Sequence, residues 1–544
     1  MGNPGVQGTL PGYLVVGNTV QLCTGGGSGT GYGAICPVFN QSCGCSAPYP
    51  LTRAGIQAAI TAGTAACSGS NCNVQSQTMI VIVGGNVVSD GVPLTIPNYI
   101  TLDMNGNSFS MPNTTASFDM ITVLGTQSST AVPLLSSMVM GNLSLYITPA
   151  QAATFVAGQM VLLSGGTWQG VTPGGAHTNR VAQQTAILSA VNSAAGILTL
   201  RDPAAYDFLT SLGATITLVT PVIGAGIRNA KLVANKNLGA LSRLLVVENV
   251  QYFAMDNVQV SGQLVNSMPG TATLDNDHQY RVGGVWVSVA ADSTFNRVSS
   301  VAFSGADSNV RDISFSGLTS SSVSNIRSAR SGGPGPSVMF SVWSRIRTVL
   351  VSTPTNVGFR LGTVAYCQVS GVVSTGALAA SNGVGFSFGF GSHHNTAKGI
   401  VVSGNGYAGI TYMGDLDSYN LIEGFSAYTN ANQSVVFGTG SNGAVGNALY
   451  GGLDTGPIAG FVGNPFDYNV LHHVTNPNGH YIQSVSGKVP AATTDLAVNM
   501  QLAWQIHQAA GADDTLNAYV LSPNQANPLS TSGIGGVTHP IGLS

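Results

Sequence analysis

Charged side chains are scarce in this chain. Asp, Glu, Lys and Arg make up 7% of its 544 residues, against about 25% in an average soluble protein. The 17 Lys and Arg are scattered singly and the net charge is -3, so no basic stripe can follow a phosphate backbone. We therefore expect no nucleic-acid partner. Ser, Thr and Asn must supply most of the hydrated surface.

Long apolar runs are also missing. No segment approaches the ~18 consecutive apolar residues of a membrane-spanning helix, and the opening MGNPGVQGTLPGYLVVGN lacks the charged and apolar regions of a signal peptide. The sequence therefore predicts neither a membrane span nor a secretion signal. Apolar residues nevertheless make up 44% of the chain and lie in short Val, Ile, Leu and Phe runs. Disorder is rejected for most of the chain, because this content is enough for a core.

Cysteine is confined almost entirely to the N-terminal region. Cys367 stands alone, whereas the other six lie in the first 72 residues: Cys23, Cys36, Cys43, Cys45, Cys67 and Cys72. An even set in a Gly- and Pro-rich segment favours disulfide bonds, and with them an oxidising or extracellular location. Zinc binding by Cys43 and Cys45 is the alternative, although no Cys-x-x-Cys pair is present. We predict no metal and no cofactor, and the disulfide pairing stays open.

Repeats of about two dozen residues follow in the second half. Segments beginning at Gly358, Gly385 and Gly409 can be laid over one another, with starts 27 and then 24 residues apart. Each combines short β-type runs with polar turns and has no intervening helix, which is typical of a solenoid. In stacked coils, side chains of the same type lie above one another at the same position of successive coils. Charged side chains in such a column would repel one another, whereas Asn, Ser, Thr and aromatic side chains would not.

The region before the repeats carries a family resemblance. RAGIQAAITAG predicts a short amphipathic helix with Ile56, Ala59 and Ile60 on one face, and TMIVIVGG and VPLTIPNYITLDMNG follow it. Together they resemble the opening of the pectate-lyase-like right-handed parallel β-helices, in which a helix caps the first coil; phage tail spikes and polysaccharide-degrading enzymes share this fold. Residues 150–220 also resemble a small β-domain inserted in phage proteins of this group.

The resemblance and the repeats together predict an all-β protein, a right-handed single-stranded parallel β-helix. Its expected parts are a Cys- and Gly-rich attachment or capping segment (1–50), a capping helix with the first coils (51–149), an inserted small β-domain (150–221), the main β-helix (222–450) and a C-terminal cap or oligomerisation region (451–544).

Aligned repeats place several chemically active side chains in one turn column. The column would hold Tyr366, then His393 with His394, then Asp415 with Asp417, and Arg345 and Asp292 lie near it in earlier coils. Asp415 and Asp417 are two residues apart, so an extended strand would direct both to one face about 6.6 Å apart. Such a separation is compatible with an inverting glycoside hydrolase. The alternative is that the acids and histidines only complete solvated turns.

A second cluster of ionisable residues lies in LDNDHQYR, residues 274–281. Asp275, Asp277, His278 and Arg281 supply acids, a base and a cation, which are the side chains that substrate binding or elimination beside a uronate carboxylate would need. An ionic loop that seals a protomer contact is the competing interpretation. Exposed aromatic rings could also stack on sugars, and the candidates are Trp168, Trp286, Trp343, Tyr412 and Tyr428.

The resemblance implies a bacterial surface polysaccharide as partner, a homotrimer, and a location on a phage tail or outside the cell, with the N-terminus contacting tail or baseplate proteins. The catalytic signatures of polygalacturonases and pectate lyases are not found in the sequence, so the resemblance implies no particular reaction. Three functions stay open: a polysaccharide hydrolase or lyase, an adhesin that binds without cleaving, and a structural scaffold.

Overall fold

Short parallel strands form most of the regular structure. The computed structural model describes residues 20–24, 44–45, 49–66, 79–112, 118–167, 182–235, 243–264, 282–305, 311–380, 383–412, 417, 419–431, 433–437, 447–454, 458–460, 469–475, 482–484, 515–516 and 519–521. Strands are numbered along the chain, and two parallel sheets hold most of them. Successive coils contribute strands to both sheets, which is the architecture of a parallel β-helix.

Sheet 1 contains the longer series of parallel strands. Its members are β3 (Met79–Val83), β4 (Val87–Val88), β6 (Ile100–Asp103), β7 (Ser108–Ser110), β18 (Gly226–Ala234), β20 (Ala254–Leu264), β22 (Thr294–Gly305), β24 (Ser322–Ala329), β26 (Arg345–Ser352), β28 (Gln368–Thr375), β30 (Thr396–Ser403), β32 (Leu421–Tyr428), β34 (Ala448–Asp454) and β36 (Asn469–Thr475).

Sheet 2 provides the facing wall of the coil. Its members are β5 (Leu94–Thr95), β8 (Asp119–Leu124), β17 (Val222–Ile223), β19 (Arg243–Gln251), β21 (Val282–Ala291), β23 (Arg311–Thr319), β25 (Ser337–Met339), β27 (Phe359–Gly362), β29 (Val384–Gly389), β31 (Ala408–Tyr412), β33 (Gln433–Phe437), β35 (Ile458–Gly460) and β37 (Ile482–Ser484). The parallel strands therefore continue past position 450, where the sequence rhythm fades.

Other elements lie at the two ends of sheet 1. β1 (Val20–Thr24) and β2 (Gly44–Cys45) pair antiparallel with each other, and β1 pairs antiparallel with β3. β38 (Thr515–Leu516) and β39 (Tyr519–Leu521) pair antiparallel with β36. Helix α1 (Arg53–Ala66) buries Ile56, Ala59 and Ile60 against the first coils, which confirms the predicted helix and its apolar face. In the described part of the chain, no helix has the length and apolar character needed to cross a membrane.

A separate antiparallel sheet interrupts the coil between β8 and β17. We call residues 126–220 the insert; it contains β9 (Thr126–Gln127), β10 (Val132–Pro133), β11 (Ser144–Tyr146), α2 (Pro149–Ala152), β12 (Met160–Thr167), β13 (Ala182–Asn192), β14 (Ile197–Leu200), β15 (Asp207–Phe208), a 3-10 helix (Thr210–Leu212) and β16 (Thr215–Thr220). Its first strand begins before position 150, where the sequence pattern places the start. The other predicted boundaries stay predictions.

The strand register confirms the repeat found in the sequence. Phe359 pairs with Phe386 on the next coil, and Phe386 pairs in turn with Ile410 on the coil after that. Apolar side chains from both sheets fill one continuous core. The chain is thus a right-handed parallel β-helix, as predicted.

Each coil turns from sheet 2 into sheet 1 at a residue with left-handed backbone conformation. We call this series the corner column; φ lies between 48° and 56° at Tyr252, Asp292, Ser320, Trp343, Tyr366, His394 and Tyr419. This conformation costs non-glycine residues of order 1–3 kcal/mol each. Hydrogen bonds between coils hold it in place: the Trp343 N–H donates to Ala365 O at 3.2 Å and the Tyr366 N–H to His393 O at 3.3 Å.

A buried ladder of polar side chains follows the corner column. It runs through Ser293, Ser321, Ser344, Cys367, Asn395, Asn420 and Asn447, and its first six members each follow a residue of the corner column. The Asn395 side chain donates to Asn420 Oδ1 at 2.8 Å, and the Asn420 side chain donates to Asn447 Oδ1 at 3.0 Å and to Ser392 O at 2.8 Å. These bonds satisfy amides that would otherwise be costly to bury.

The insert packs against the outer face of sheet 2. Its Met160 and Ile187 meet Val289 and Ala291 in one buried apolar cluster, and the Thr185 hydroxyl donates to Gly317 O at 2.7 Å. Gly317 has φ +59°, and a Cβ there would lie 3.1 Å from the Val289 nitrogen. A glycine is therefore needed where the coil, its neighbour and the insert meet.

A carboxyl group is buried inside the coil. Asp312 in β23 is fully buried; it accepts hydrogen bonds from the Ser328 hydroxyl and, at 2.8 Å, from the Ile313 N–H. Burial raises the pKa of Asp312 to about 6, against the lowering effect of its hydrogen bonds from Ser328 and the Ile313 N–H. The folded protein thus holds this proton more tightly than the unfolded chain.

Replacing Asn420 by Ala should lower the free energy of unfolding by roughly 3 kcal/mol, because Asn395 and the Ser392 carbonyl lose buried partners. Thermal and urea unfolding of both proteins would measure this loss. Gln368→Ala, which removes an exposed amide from β28, is the matched control and should change stability little. Equal effects of the two substitutions would refute a stabilising role for the ladder.

Asp312→Asn should remove a pH dependence of stability. Because the folded-state pKa is raised, the Asp312 contribution is fully present below about pH 4 and is lost as the pH rises through about 6. The wild type should therefore gain about 2 kcal/mol relative to the variant on going from pH 7.5 to pH 4. Unfolding of both proteins at several pH values would show this, and a constant difference would contradict it.

Candidate functional site

Four ring side chains of the corner column stack on one another. Trp343 and Tyr366 have ring centroids 4.2 Å apart and planes 8° apart; Tyr366 and His394 follow at 5.1 Å and 22°, and His394 and Tyr419 at 5.2 Å and 31°. The coil spacing of about 4.8 Å suits such contacts, since one ring per coil lies close to stacking distance. We call these four residues the aromatic stack.

Tyr419 is the open end of the aromatic stack. Its side chain is 45% exposed, whereas Trp343, Tyr366 and His394 are only partly exposed. Tyr419 precedes Asn420 of the buried ladder. Tyr419 therefore presents an aromatic surface next to solvent.

His393 and His394 form a pair of imidazoles below that open end. Their Nδ1 atoms lie 3.1 Å apart and their planes are nearly perpendicular, at 89°. A hydrogen bond at this distance needs one nitrogen to donate and the other to accept, so the two rings carry complementary tautomers. His393 is fully buried and His394 half-buried.

The environment favours uncharged histidines. Burial, and then the neighbouring His394, lower the pKa of His393 well below its usual value of 6.5. Burial also lowers the pKa of His394. Both imidazoles are therefore neutral at pH 7, and the shared hydrogen bond is compatible with that state.

The insert docks on the corner column beside this pair. The Tyr206 hydroxyl donates to Thr363 O at 2.7 Å, and its ring meets His393 edge-on with centroids 5.0 Å apart. Trp343 Nε1 donates to Pro203 O at 3.2 Å. These contacts cover the lower part of the aromatic stack, while Tyr419 extends beyond them.

An ionic cluster fixes the insert to earlier corners. Arg201 pairs with Asp292 at 2.8 Å and with Asp202 at 3.1 Å, and the Ser320 hydroxyl donates to Asp202 Oδ2 at 3.0 Å. Asp292 thus lies in the corner column, as the alignment suggested, where it accepts an ion pair from the insert.

The structure brings together only part of the predicted turn column. Tyr366 and His394 share the corner column with Asp292. Arg345 lies two residues after a corner, exposed at the start of β26, and the corner of that coil is Trp343. His393 is buried against the insert, which differs from the outward position expected for it.

Asp417 also differs from its expected place on an outer wall. It is fully buried, and its Oδ1 accepts the Ser392 N–H at 2.9 Å, while its backbone oxygen accepts the Asn447 side chain at 2.7 Å. Burial, and then the Asp417 charge, raise the pKa of Tyr412 well above its usual value. Asp417 therefore links neighbouring coils. Asp415 lies outside the described residues, so a catalytic pair stays a prediction.

The remaining candidates are divided between core, surface and undescribed positions. Trp286 and Tyr412 are buried, whereas Tyr428 is 39% exposed on β32, away from the stack. Outside the described residues lie Asp275, Asp277, His278, Arg281, Trp168, Cys36, Cys43, Cys67 and Cys72. Within the described ranges, no group of three or more His, Cys, Asp or Glu is suited to a metal ion.

The cysteine prediction is only partly within the described structure. Cys23 lies opposite Cys45 in the antiparallel pairing of β1 with β2, and the disulfides stay a prediction. Cys367 is a free thiol in the buried ladder, and burial raises its pKa to about 12.

Two important residues were missed by the sequence analysis. Tyr419 was not identified because the alignment assigned Asp415 and Asp417 to the turn column in this coil. Its distance from His394 in the sequence, one coil length, is the signal that could have identified it. Tyr206 lies in the insert, and no periodic pattern connects it with His393.

The chain matches no protein-family model and no curated protein sequence. Solved structures that resemble it include a tailspike protein of Pseudomonas phage LKA1 (12% identity, 76% of this chain and 78% of that chain, TM-score 0.39). The A-module of an Azotobacter vinelandii mannuronan C-5 epimerase (12%, 79% and 92%, TM-score 0.38) and PfbA, a surface adhesin of Streptococcus pneumoniae (10%, 81% and 92%, TM-score 0.34), are also similar. At these sequence identities and TM-scores, the structural similarity says nothing about the substrate or activity of this protein.

Tyr206→Ala should loosen the insert, because it removes the bond to Thr363 and the edge contact with His393. Limited proteolysis should cut the insert faster, and tryptophan emission should shift to the red as Trp343 gains water. Tyr146→Ala removes an exposed tyrosine from the same insert and is the control. Unchanged proteolysis in Tyr206→Ala would show that the insert is held elsewhere.

Proposed function

We propose that this protein is a tailspike-like virion protein or secreted β-helix that binds bacterial cell-surface polysaccharide at the open end of its aromatic stack. The observation that carries the proposal is the exposed Tyr419 ring, supported from below by His394 and Tyr366. A pyranose has an apolar face of C–H groups that packs on an aromatic plane, and the tyrosine hydroxyl adds a hydrogen-bonding group. A ring already held by its neighbours loses little freedom on binding.

The polar surface of sheet 1 suits a ligand rich in hydroxyl groups. Its outer face carries amide contacts between coils, such as Asn257 to Asn229 at 2.9 Å and Asn325 to Asn296 at 2.8 Å. Amides and hydroxyls can donate to and accept from sugar hydroxyls without the strong desolvation cost of charges. The low overall charge is consistent with such a partner.

Binding without cleavage is supported better than catalysis. Asp417 and His393, two of the four catalytic candidates, are fully buried in structural contacts. A hydrolase or lyase would have to rely on Asp415, His394 or the 274–281 loop. We retain depolymerisation as the alternative and propose the adhesin-type activity first. A scaffold without glycan binding is the third possibility.

Assembly forms part of the proposal. We propose a homotrimer that joins tail or baseplate proteins through its N-terminal region when it belongs to a virion. Light scattering after size-exclusion chromatography measures the number of subunits. A monomer at micromolar concentration would contradict the trimer and leave the glycan site intact.

Tyr419→Ala should weaken polysaccharide binding about tenfold, since a stacked aromatic contact contributes about 0.5–1.5 kcal/mol beyond its buried area. The measurement is titration calorimetry or co-sedimentation with a panel of bacterial capsular and exopolysaccharides. Tyr428→Ala removes a similarly exposed tyrosine from sheet 1 and should bind like the wild type.

The same incubations distinguish the three functions. Binding without new reducing ends or unsaturated products supports the adhesin, whereas product release supports a depolymerase. An equal loss in Tyr419→Ala and Tyr428→Ala would remove the stack as the site. No binding across the panel, together with filament formation, would favour the scaffold.

A further inference from the structure

Three arginines lie together on the outer face of sheet 1. Arg345 and Arg347 belong to β26, and Arg327 belongs to β24 on the preceding coil. All three are exposed, and among the described residues none of them has an ion pair or a side-chain hydrogen bond. We call these three residues the arginine patch.

The strand register fixes the spacing within the patch. Arg345 and Arg347 are two residues apart on β26, so their Cα atoms are about 6.6 Å apart on one face. Arg347 pairs with Ser324 on β24, and Arg327 follows Ser324 by three residues. The Cα atoms of Arg327 and Arg347 are therefore at most about 11 Å apart. One extended ligand can meet all three side chains.

The adjacent coils do not neutralise this charge. In the strand register, each arginine of the patch has a serine on the coil before it and a neutral residue on the coil after it, namely Gln368, Ser370 or Leu350. The four successive strands β22, β24, β26 and β28 contain no Asp or Glu. Arg330, which is also exposed, follows the end of β24 and adds positive charge.

Elsewhere on sheet 1, charged residues of neighbouring coils pair with one another. Arg228 pairs with Asp103 at 2.8 Å, and Lys398 pairs with Glu423 at 2.5 Å. An acid one coil away from the patch would neutralise it in the same way, but the described strands place none there. The patch thus keeps a local positive charge in a chain that is otherwise poor in charge.

The described surface of a second copy of the chain does not supply matching acids. Each carboxylate whose side chain is described is already engaged. Most are in ion pairs, as Asp256 is with Arg297, and the others accept hydrogen bonds from N–H or hydroxyl groups, as Asp207 does from the Met140 N–H at 2.8 Å. The patch therefore favours a separate anionic partner over self-association.

We propose that the arginine patch binds the carboxylate groups of an acidic bacterial polysaccharide. The proposal rests on the function proposed above and adds the class of polysaccharide and a second contact site. The planar guanidinium group presents a fork of N–H donors that matches the two oxygens of a carboxylate. Gln368 and the serines beside the patch can exchange hydrogen bonds with sugar hydroxyls, so the surroundings suit a carboxylate carried on a sugar chain.

The test compares a uronate-containing bacterial polysaccharide with the same polymer after chemical reduction of its carboxylates to primary alcohols. The full-length wild-type protein should bind the native polymer about tenfold more tightly than the reduced polymer, as expected for two or three exposed ion pairs. This preference should shrink when the salt concentration is raised from about 0.05 to 0.5 M, because salt screens exposed charges.

Variants assign the preference to the patch. Arg345→Gln combined with Arg347→Gln keeps long polar side chains and removes two charges, so most of the preference for the native polymer should be lost while binding of the reduced polymer is unchanged. Lys231→Gln removes another exposed cation of sheet 1, on β18, and is the matched control, which should behave like the wild type. Should the double variant fail to fold, the comparison of the two polymers with the wild type decides the question.

The outcomes separate this inference from the proposed function. Equal wild-type affinity for the two polymers, or equal losses in the double variant and in Lys231→Gln, would overturn the inference alone. Tighter binding of DNA or of a phosphate-bearing polymer that depends on Arg345 and Arg347 would overturn the assignment to carboxylates. A wild-type protein that binds no polysaccharide, acidic or neutral, would overturn the proposed function as well.

Discussion

Hydrogen bonding between successive coils is the constraint on which this structure depends. Parallel strands must lie about 4.8 Å apart, and the buried amides must meet in the same register. Asn395 bonds to Asn420 and Asn420 to Asn447 through their side chains, although the two steps along the chain differ in length. The corner is therefore held fixed, and differences in coil length are taken up elsewhere in the coil. A left-handed residue can persist at each corner because bonds on both sides determine its position.

The aromatic stack is a consequence of this fixed corner. Trp343 and Tyr366 belong to successive coils, and the same corner conformation in each coil brings their rings to 4.2 Å. Charged residues in such a column would face like charges one coil away, which is unfavourable in a partly buried setting. Aromatic, hydroxyl and amide side chains can be repeated without that penalty. Scarcity of charge and the presence of an exposed aromatic stack thus have one physical origin.

The sequence allowed the coil period and part of the column to be predicted, because strand pairing repeats an apolar pattern that can be aligned. Gly358 and Gly385 mark coils that pair as expected, and Tyr366 and His394 share a corner. Asp417 was misplaced because side-chain direction inside a tight turn depends on backbone angles, which the alternation of strands does not determine. Burial of His393 depends on Tyr206, which lies far earlier in the chain, and no local pattern encodes such a contact.

The insert decides which ring of the stack faces solvent. The contacts of its described residues reach Asp292, Trp343 and His393. Trp343 has the same corner conformation as Tyr419 but lies beneath the insert. The solvent exposure of Trp343 is therefore determined by the insert and not by the conformation of its own coil. A shorter insert would expose Trp343 or Tyr366, and a longer one would cover Tyr419. The β-helix therefore supplies a periodic series of equivalent corner positions, and the size of one antiparallel domain selects the ring that faces solvent.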